Sequence, residues 1–181
     1  MVRKFPLMLF VLASSLIATA STAAGTYYIA ANGSDTNNGT SKTSPWLHAP
    51  GMPKCTGTCA GHTPVAGDQY IFRGGDTWHF GNSAASPYVG GSWSWKWSGS
   101  SSNPIYIGVD ETWYGGNAWA RPLMSGDNPL STSFVSSCAY DQSSFIFFNL
   151  TSLSYVTVDN FEWPGKCWSS NSTYTGTVYD P

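Results

Sequence analysis

The sequence predicts an all-β protein of short strands joined by long loops, and three observations lead to this class. Only 10% of the 181 residues are charged, against about 25% in an ordinary soluble domain, so few are available to cover exposed helix faces. Aromatic residues make up 15%, and they favour strands. The 19 Gly and 11 Pro interrupt the chain with turns. A helical bundle, a coiled coil and a charged disordered chain are therefore not expected.

Residues 1–24 have the pattern of a secretory signal peptide. Two basic residues precede an uncharged apolar run over 5–18, which is short for a membrane span of about 20 residues. Small residues then allow cleavage after Ala20 or after Ala24. The alternative is an uncleaved anchor. The sequence thus predicts an exported protein, secreted or periplasmic, whose mature domain covers 25–181 and lies free of the membrane.

The charge of that mature chain excludes one class of partner. Cleavage after Ala24 leaves six basic residues against ten acidic ones, a net charge of −4. Nucleic-acid binding needs a basic surface, so no nucleic acid is expected as a partner. The same charge gives no direct attraction to anionic polysaccharides unless a cation bridges the two.

Four cysteines follow the leader, at Cys55, Cys59, Cys138 and Cys167. An even number in an exported chain predicts two disulfides. A proline and a glycine around the first two suggest a tight loop, which favours a Cys55–Cys59 pair and leaves Cys138 for Cys167. Zinc binding is the alternative, but no histidine lies beside the second pair.

Strand-like runs recur between clusters of turn-forming residues, without a linker that would separate a second domain. The last two runs lie close together, and their spacing leaves open whether they form successive sides of a solenoid coil or a hairpin. The predicted strands cover residues 26–30, 69–73, 92–97, 105–109, 145–148 and 155–159.

Four segments, in this order, resemble exported right-handed parallel β-helix proteins, the pectate-lyase-like group among them. Residues 27–46 combine a strand, an Asn-Gly-Ser-Asp turn, a Gly-Thr and a Pro-Trp, and 67–78 combine a Gly-Asp turn, an apolar strand and a Gly-rich exit. Residues 101–108 fit as well, and 154–162 resemble a coil strand with Asn160 at its tight corner.

The resemblance implies a right-handed parallel β-helix seen through its N-terminal cap and first coils, as the N-terminal part of a longer solenoid. The alternative is a complete small β protein whose end is secured by Cys138 and Cys167. The implied function is binding and processing of extracellular polysaccharide by lyase or hydrolase chemistry, with the catalytic centre beyond Pro181. Two other functions stay open, a non-catalytic surface or adhesion rod and a small carbohydrate-binding module. No cofactor is required by the sequence, calcium is implied only by the resemblance, and the oligomeric state is left open.

Trp93, Trp95 and Trp97 alternate with polar residues and are the candidate carbohydrate-binding residues. On a strand they project to one face about 6.8 Å apart, and indole rings can stack on sugar rings while their N–H groups donate to hydroxyls. The same alternation equally predicts that the tryptophan face belongs to the core.

Three further residues are weak catalytic candidates. Asp159 and Glu162 could act as an acid–base pair, and Lys166 follows closely enough to neutralise a substrate carboxylate. The alternative for Asp159 is an ordinary solvent-facing position, because it alternates away from the apolar residues of its strand.

Asp35 and Asn37, with Asn38 beside them, are weak calcium-ligand candidates because they offer hard oxygen atoms in a glycine-containing loop. The favoured alternative is that these side chains cap turn amides. Arg73, which lies between Asp68 and Asp76, is expected to form a structural ion pair at its strand end.

Overall fold

The computed structural model describes residues 23–129, 138–142 and 146–167. The predicted leader therefore lies almost wholly outside the described residues, and Phe145, the first residue of one predicted strand, lies outside them as well. Within the described ranges the chain forms eight short strands and one five-residue helix. They are β1 (Thr26–Ile29), α1 (Gly57–Gly61), β2 (Gln69–Gly74), β3 (Thr77–His79), β4 (Trp93–Ser94), β5 (Ile105–Tyr114), β6 (Leu123–Ser125), β7 (Phe148–Asn149) and β8 (Val156–Val158).

The strands pair in three parallel sheets. Sheet A has the order β1-β2-β5-β8, sheet B contains β3 and β6, and sheet C contains β4 and β7. The chain visits A, B and C through β2, β3 and β4, and again through β5, β6 and β7. We call each such course a coil. The all-β prediction is confirmed.

A third coil begins at β8 and reaches sheet B, where Glu162 bridges to Leu123 in parallel. Because β7 pairs with β4 while β8 pairs with β5, the last two predicted runs belong to different sheets. They are successive sides of the winding chain, and the hairpin alternative is excluded.

Residues in the left-handed backbone conformation turn the chain from sheet A to sheet B. Gly75, between β2 and β3, has φ +78°, and Asn160, after β8, has φ +67°. Asparagine tolerates this conformation better than most residues with a side chain. Its amide is also held in place, because Oδ1 accepts from Arg121 Nε at 2.7 Å and Nδ2 donates to Glu111 at 3.2 Å. The corner expected at Asn160 is confirmed.

Aromatic rings fill the space between the sheets and stack from coil to coil. Tyr27 and Tyr70 are register partners with nearly parallel rings 5.4 Å apart. Trp93 and Phe148 are partners in sheet C with ring centroids 4.0 Å apart. Parallel pairing places identical faces of successive strands one above the other, so inward rings must stack.

The loop between β1 and α1, residues 30–56, closes the N-terminal end of this core, and we call it the cap loop. Trp46 is fully buried and stacks on Tyr27 at 4.9 Å. The same loop supplies carbonyl acceptors for two buried indoles, since Trp78 donates to Leu47 at 2.8 Å and Trp93 donates to Pro50 at 3.0 Å. Buried indole N–H groups need such partners, so these two hydrogen bonds fix the position of the loop on the first coil.

Both disulfides form as expected. Cys55 pairs with Cys59 across the start of α1, and Cys138 pairs with Cys167. The expected ion pair is also present, because the Arg73 guanidinium contacts the Asp76 carboxylate at 2.8–3.0 Å. Asp76 additionally accepts from the backbone amide of Ala31 at 2.7 Å, which ties the cap to the first coil.

Candidate functional site

The expectation of an exposed tryptophan strip is wrong. Trp93 and Trp95 do share one side of their strand, but that side faces the core, and their exposed fractions are 0% and 3%. Trp97 is half-buried and packs edge-on against Trp95, with ring centroids 5.1 Å apart. The alternative that the tryptophans belong to the core is confirmed, because Trp93 stacks on Phe148 and its indole N–H donates to the Pro50 carbonyl, while Trp97 packs against the buried cluster.

The three catalytic candidates have different neighbours. Asp159 is exposed and accepts a hydrogen bond from the Tyr106 hydroxyl at 3.0 Å. Glu162 is exposed and lies 3.4 Å from Arg121, on the sheet B side of the corner. The Lys166 amine lies 5.2 Å from the centroid of the Phe147 ring, and burial lowers its pKa. A catalytic role for any of them stays a prediction.

The Asp35 carboxylate, a weak calcium-ligand candidate, organises the cap loop, and a calcium role for it stays a prediction. Asp35 is buried and accepts from the backbone amides of Leu47, His48 and Thr56 at 2.9–3.2 Å, and His48 Nδ1 contacts it at 2.7 Å. Burial would raise its pKa, but the bonds from His48 and Thr56 lower it overall.

Asn37 has the same structural function. Its amide donates to the carbonyl of Pro45 at 2.8 Å, and its own carbonyl accepts from the Trp46 indole at 2.8 Å. Both loop residues therefore cap main-chain groups, as the alternative interpretation held. Within 23–129, 138–142 and 146–167, no three His, Cys, Asp or Glu side chains are grouped as a metal site would need.

The outward face of sheet A carries a groove that the sequence did not reveal. Its volume is about 560 Å³, within the 300–1,000 Å³ usual for ligand sites. Three neighbouring strands, β1, β2 and β5, contribute its lining. The lining residues are Thr26, Tyr28, Gln69, Ile71, Tyr106, Val109 and Asp110.

Strand register arranges the polar groups of this face in a row. Thr26 pairs with Gln69, Gln69 with Tyr106, and Tyr106 with Thr157. Adjacent strands lie about 4.8 Å apart, so this row of four side chains runs about 14 Å across the sheet. Next to the row, Gly108 makes room for the Tyr106 ring, since a Cβ there would lie 2.4 Å from it.

Aromatic rings and one ion pair border the groove. Tyr28 contacts Trp113 edge-on at 5.3 Å. The Lys42 amine lies 2.6 Å from the Asp110 carboxylate. The hydrogen bond from Lys42, followed by those from Thr112, lowers the pKa of Asp110 to about 2. The groove therefore holds a carboxylate that is ionised at neutral pH and already neutralised by a lysine.

The Tyr106 hydroxyl is fixed at the other side of the row. It donates to Asp159, and burial together with this bond raises its pKa. A neutral hydroxyl, an amide and a ring face are consequently presented side by side. Such a surface can donate and accept hydrogen bonds and stack on an apolar ring face, but it contains no pair of free carboxylates at its centre.

One sequence signal could have located the groove. In β1, β2 and the first half of β5, the residues that alternate away from the apolar core positions are Thr26, Tyr28, Gln69 and Tyr106. They were visible as the outer face of three predicted strands. What the sequence did not show is that the three strands are immediate neighbours.

Comparison with models of protein families and with curated proteins found no match. Solved structures similar to this chain include a rhamnogalacturonan lyase, with 21% identity, a TM-score of 0.47, and coverage of 77% of this chain and 28% of that one. A GH136 lacto-N-biosidase from Eubacterium ramulus has 20% identity and a TM-score of 0.47, and the match covers 82% of this chain and 22% of that one. Pectate lyase Pel9A has 21% identity and a TM-score of 0.38, with 81% and 28% covered.

The chain thus spans about a quarter of the length of these structures. At this identity and TM-score they give no assignment of activity. Across the part of the chain that the structure describes, no helix is long and apolar enough to cross a membrane.

Proposed function

We propose that this chain is the N-terminal part of an exported right-handed parallel β-helix that binds an extracellular polysaccharide along the outward face of sheet A. The repeated A, B, C order of the sheets supports a coiled path. Connections between parallel strands of one sheet are right-handed in about 98% of cases, which supports the handedness.

The observation that carries the proposal is the composition of the groove. A hydroxyl, an amide and a phenol, from Thr26, Gln69 and Tyr106, form one row, and the Tyr28 ring lies beside it. Sugar rings present hydroxyls at their edges and apolar C–H groups on their faces, so amides and hydroxyls can pair with the former and aromatic rings with the latter. A row across parallel strands suits an extended chain better than a compact ligand.

Charge favours a neutral polysaccharide. The one carboxylate of the groove, Asp110, is paired with Lys42, and the mature chain carries a net charge of −4. An anionic chain would therefore meet no unpaired cation in the groove and would be repelled at long range. Calcium is part of the proposal only for anionic chains, where it would bridge two negative partners.

Processing of the polysaccharide belongs to the same proposal but not to the described groove. Hydrolysis requires two carboxyl groups at a set separation, and the groove has a single, ion-paired one. We place lyase or hydrolase chemistry on coils that follow residue 181.

The test is a binding measurement on the oxidised, exported chain, using affinity electrophoresis in gels that contain a neutral glucan, a neutral galactan or a polyuronate. Gln69→Leu keeps the size of an exposed side chain and removes its amide. We expect binding to weaken about 3- to 10-fold, the loss of one hydrogen bond. The control is Lys96→Ala, also exposed but located after β4 on another side of the coil. Its lost charge changes mobility in every gel alike, so its retardation relative to a sugar-free gel should equal that of the parent chain.

The outcomes separate the alternatives. Retarded migration in a neutral gel that Gln69→Leu relieves would support the groove. Equal retardation of both variants would place binding elsewhere, and no retardation in any gel, with and without calcium, would refute polysaccharide binding and leave a structural rod. Appearance of shortened saccharides during incubation with this chain alone would contradict a catalytic centre on later coils.

A further inference from the structure

Gly25, at the edge of the predicted leader, is held by both of its backbone groups. Its N–H donates to Asp68 Oδ1 at 2.8 Å, and its carbonyl accepts from the Gln69 amide at 2.9 Å. The preceding residues, Ala23 and Ala24, are exposed. Both backbone groups of Gly25 are therefore hydrogen-bonded to residues at the start of β2.

The partner of Gly25 is a carboxylate with no exposed surface. Asp68 is 0% exposed and accepts from the Val65 amide at 3.0 Å and the Tyr70 hydroxyl at 2.9 Å, while His62 Nε2 lies 3.2 Å away. The Asp68 carboxylate accepts several hydrogen bonds, but no permanent positive charge among the described residues neutralises it. No lysine or arginine among the described residues pairs with it, and His62 could compensate it only when protonated.

A fully buried carboxylate without a permanent counter-ion is expensive, because removing an ion from water costs several kcal/mol unless an opposite charge is close. An internal peptide N–H at position 25 supplies a dipole only. An α-ammonium group on the same nitrogen would supply a full positive charge 2.8 Å from Asp68 Oδ1, without any rearrangement of the fold.

We propose that export cleaves the Ala24–Gly25 bond and that the new α-ammonium of Gly25 becomes the counter-ion of Asp68. A leader peptidase catalyses the hydrolysis. Water adds to the Ala24 carbonyl, the C–N bond breaks, the leader leaves with a carboxylate, and Gly25 keeps the nitrogen, which is protonated at neutral pH. Thr22 and Ala24 provide the small residues that such peptidases require. The geometry at Asp68 thus selects this site over cleavage after Ala20.

The position of Gly25 also explains why the residue there is a glycine. A Cβ on Gly25 would lie 3.0 Å from the Tyr27 hydroxyl oxygen and 3.1 Å from its ring. That ring stacks on both Trp46 and Tyr70. A larger first residue would therefore press on the aromatic stack that closes the N-terminal end of the core.

The charged and titratable groups that face the new ammonium are Asp68, His62, Tyr27 and Tyr70. Burial and the charge of Asp68 raise the pKa values of both tyrosines, so both stay neutral over the pH range in which an ordinary α-amino group titrates. Chains that start at Gly25, Ala24 or Ala23 share all these groups and differ in where the α-ammonium lies. Their difference in stability consequently isolates the α-ammonium.

The first experiment is the intact mass of the protein that a secreting host exports from a gene encoding residues 1–181. The expected product starts at Gly25 and has 157 residues. A product that starts at Ser21, or that retains the leader, would overturn the proposal.

The second experiment compares the unfolding of three oxidised chains, which start at Gly25, Ala24 or Ala23 and are released from a carrier by a protease that leaves no extra residue. All three have the same net charge. At pH 7 we expect the ratio of folded to unfolded molecules to be at least tenfold higher for the Gly25 start, which corresponds to an ammonium pKa raised by one unit or more. The other two chains should be equal.

The pH dependence has a defined sign. A base whose pKa is raised by folding stabilises the protein below its unfolded value, near 8 for an α-amino group, and loses that contribution as pH rises through the folded value. The advantage of the Gly25 start should therefore decline above pH 8 and vanish in Asp68→Asn. Equal stability of the three starts at every pH would refute the ion pair, even if Asp68→Asn proves unable to fold.

Discussion

Replacing Trp93 by alanine tests whether the tryptophan face serves the core or a sugar. The indole has no exposed surface, stacks on Phe148 at 4.0 Å and donates to the Pro50 carbonyl at 3.0 Å. Truncation of a buried tryptophan costs about 3–5 kcal/mol, which is a large part of the 5–15 kcal/mol that stabilises an ordinary domain. We expect Trp93→Ala to unfold at a much lower urea concentration than the parent chain.

A second substitution divides this cost into its parts. Trp93→Phe keeps an aromatic ring against Phe148 but removes the N–H, so the Pro50 carbonyl loses its donor. An unsatisfied buried acceptor costs about 1–3 kcal/mol, and the smaller ring adds part of the packing loss. The expected order of destabilisation is Trp93→Ala, then Trp93→Phe. Trp97→Ala is the matched control and should cost less than half as much as Trp93→Ala, because Trp97 is only half-buried.

The assay is urea unfolding of the oxidised protein, followed by far-UV circular dichroism and analysed at constant slope m. Each variant that stays folded is also tested for polysaccharide binding. A cost below about 1 kcal/mol for Trp93→Ala, combined with a loss of binding, would show that the ring is available to a ligand and would refute the reasoning from burial.

Two further predictions concern the charged groups of the cap and the groove. Asp35→Asn should destabilise the protein by about 3 kcal/mol, as expected when a buried pair loses one partner. Millimolar calcium should not shift the melting temperature of the parent chain. A calcium-induced rise in melting temperature that Asp35→Asn abolishes would show instead that Asp35 binds calcium. Lys42→Met should raise the pKa of Asp110 from about 2 towards 3.8, measured by NMR titration of the carboxyl carbon, and an unchanged value would mean that Thr112 alone holds it low. Because folding lowers the pKa of Asp110, its ion pair with Lys42 stabilises the fold above about pH 4, and this stabilisation is lost as pH falls towards 2. The contribution is about 0.5 kcal/mol, since both side chains are over a third exposed.

The strands that the sequence identified are those with an internal pattern. Residues 26–30, 69–73 and 105–109 carry apolar residues at strand spacing between clear turns. β1, β2 and the first half of β5 lie there, and β5 continues to Tyr114. Strands β3 and β6 have three residues each and were not predicted. Such short segments carry too little periodicity to be recognised, and they become strands because each pairs with the other across 46 residues of sequence.

The expected sites illustrate the same division. Alternation correctly placed Trp93 and Trp95 on one side, but a period of two does not say which side faces water. Turn chemistry correctly identified the loop of Asp35 as organised by its side chains. The sequence did not show that His48 and Thr56 donate to that carboxylate, because only the folded loop brings them next to it.

The sequence by itself determined the all-β class, the corner at Asn160 and the pairing expected for the four cysteines, because each depends on composition, local backbone preference or short spacing. Only the tertiary structure decided that the tryptophans face inward, that the groove forms on sheet A, and that Gly25 meets Asp68. Those features join residues far apart in the sequence, 37 positions for Gln69 with Tyr106 and 43 for Gly25 with Asp68 and for Trp93 with Pro50. Contacts of that kind arise from the parallel stacking of coils, which places distant segments side by side and leaves no periodic trace in either segment alone.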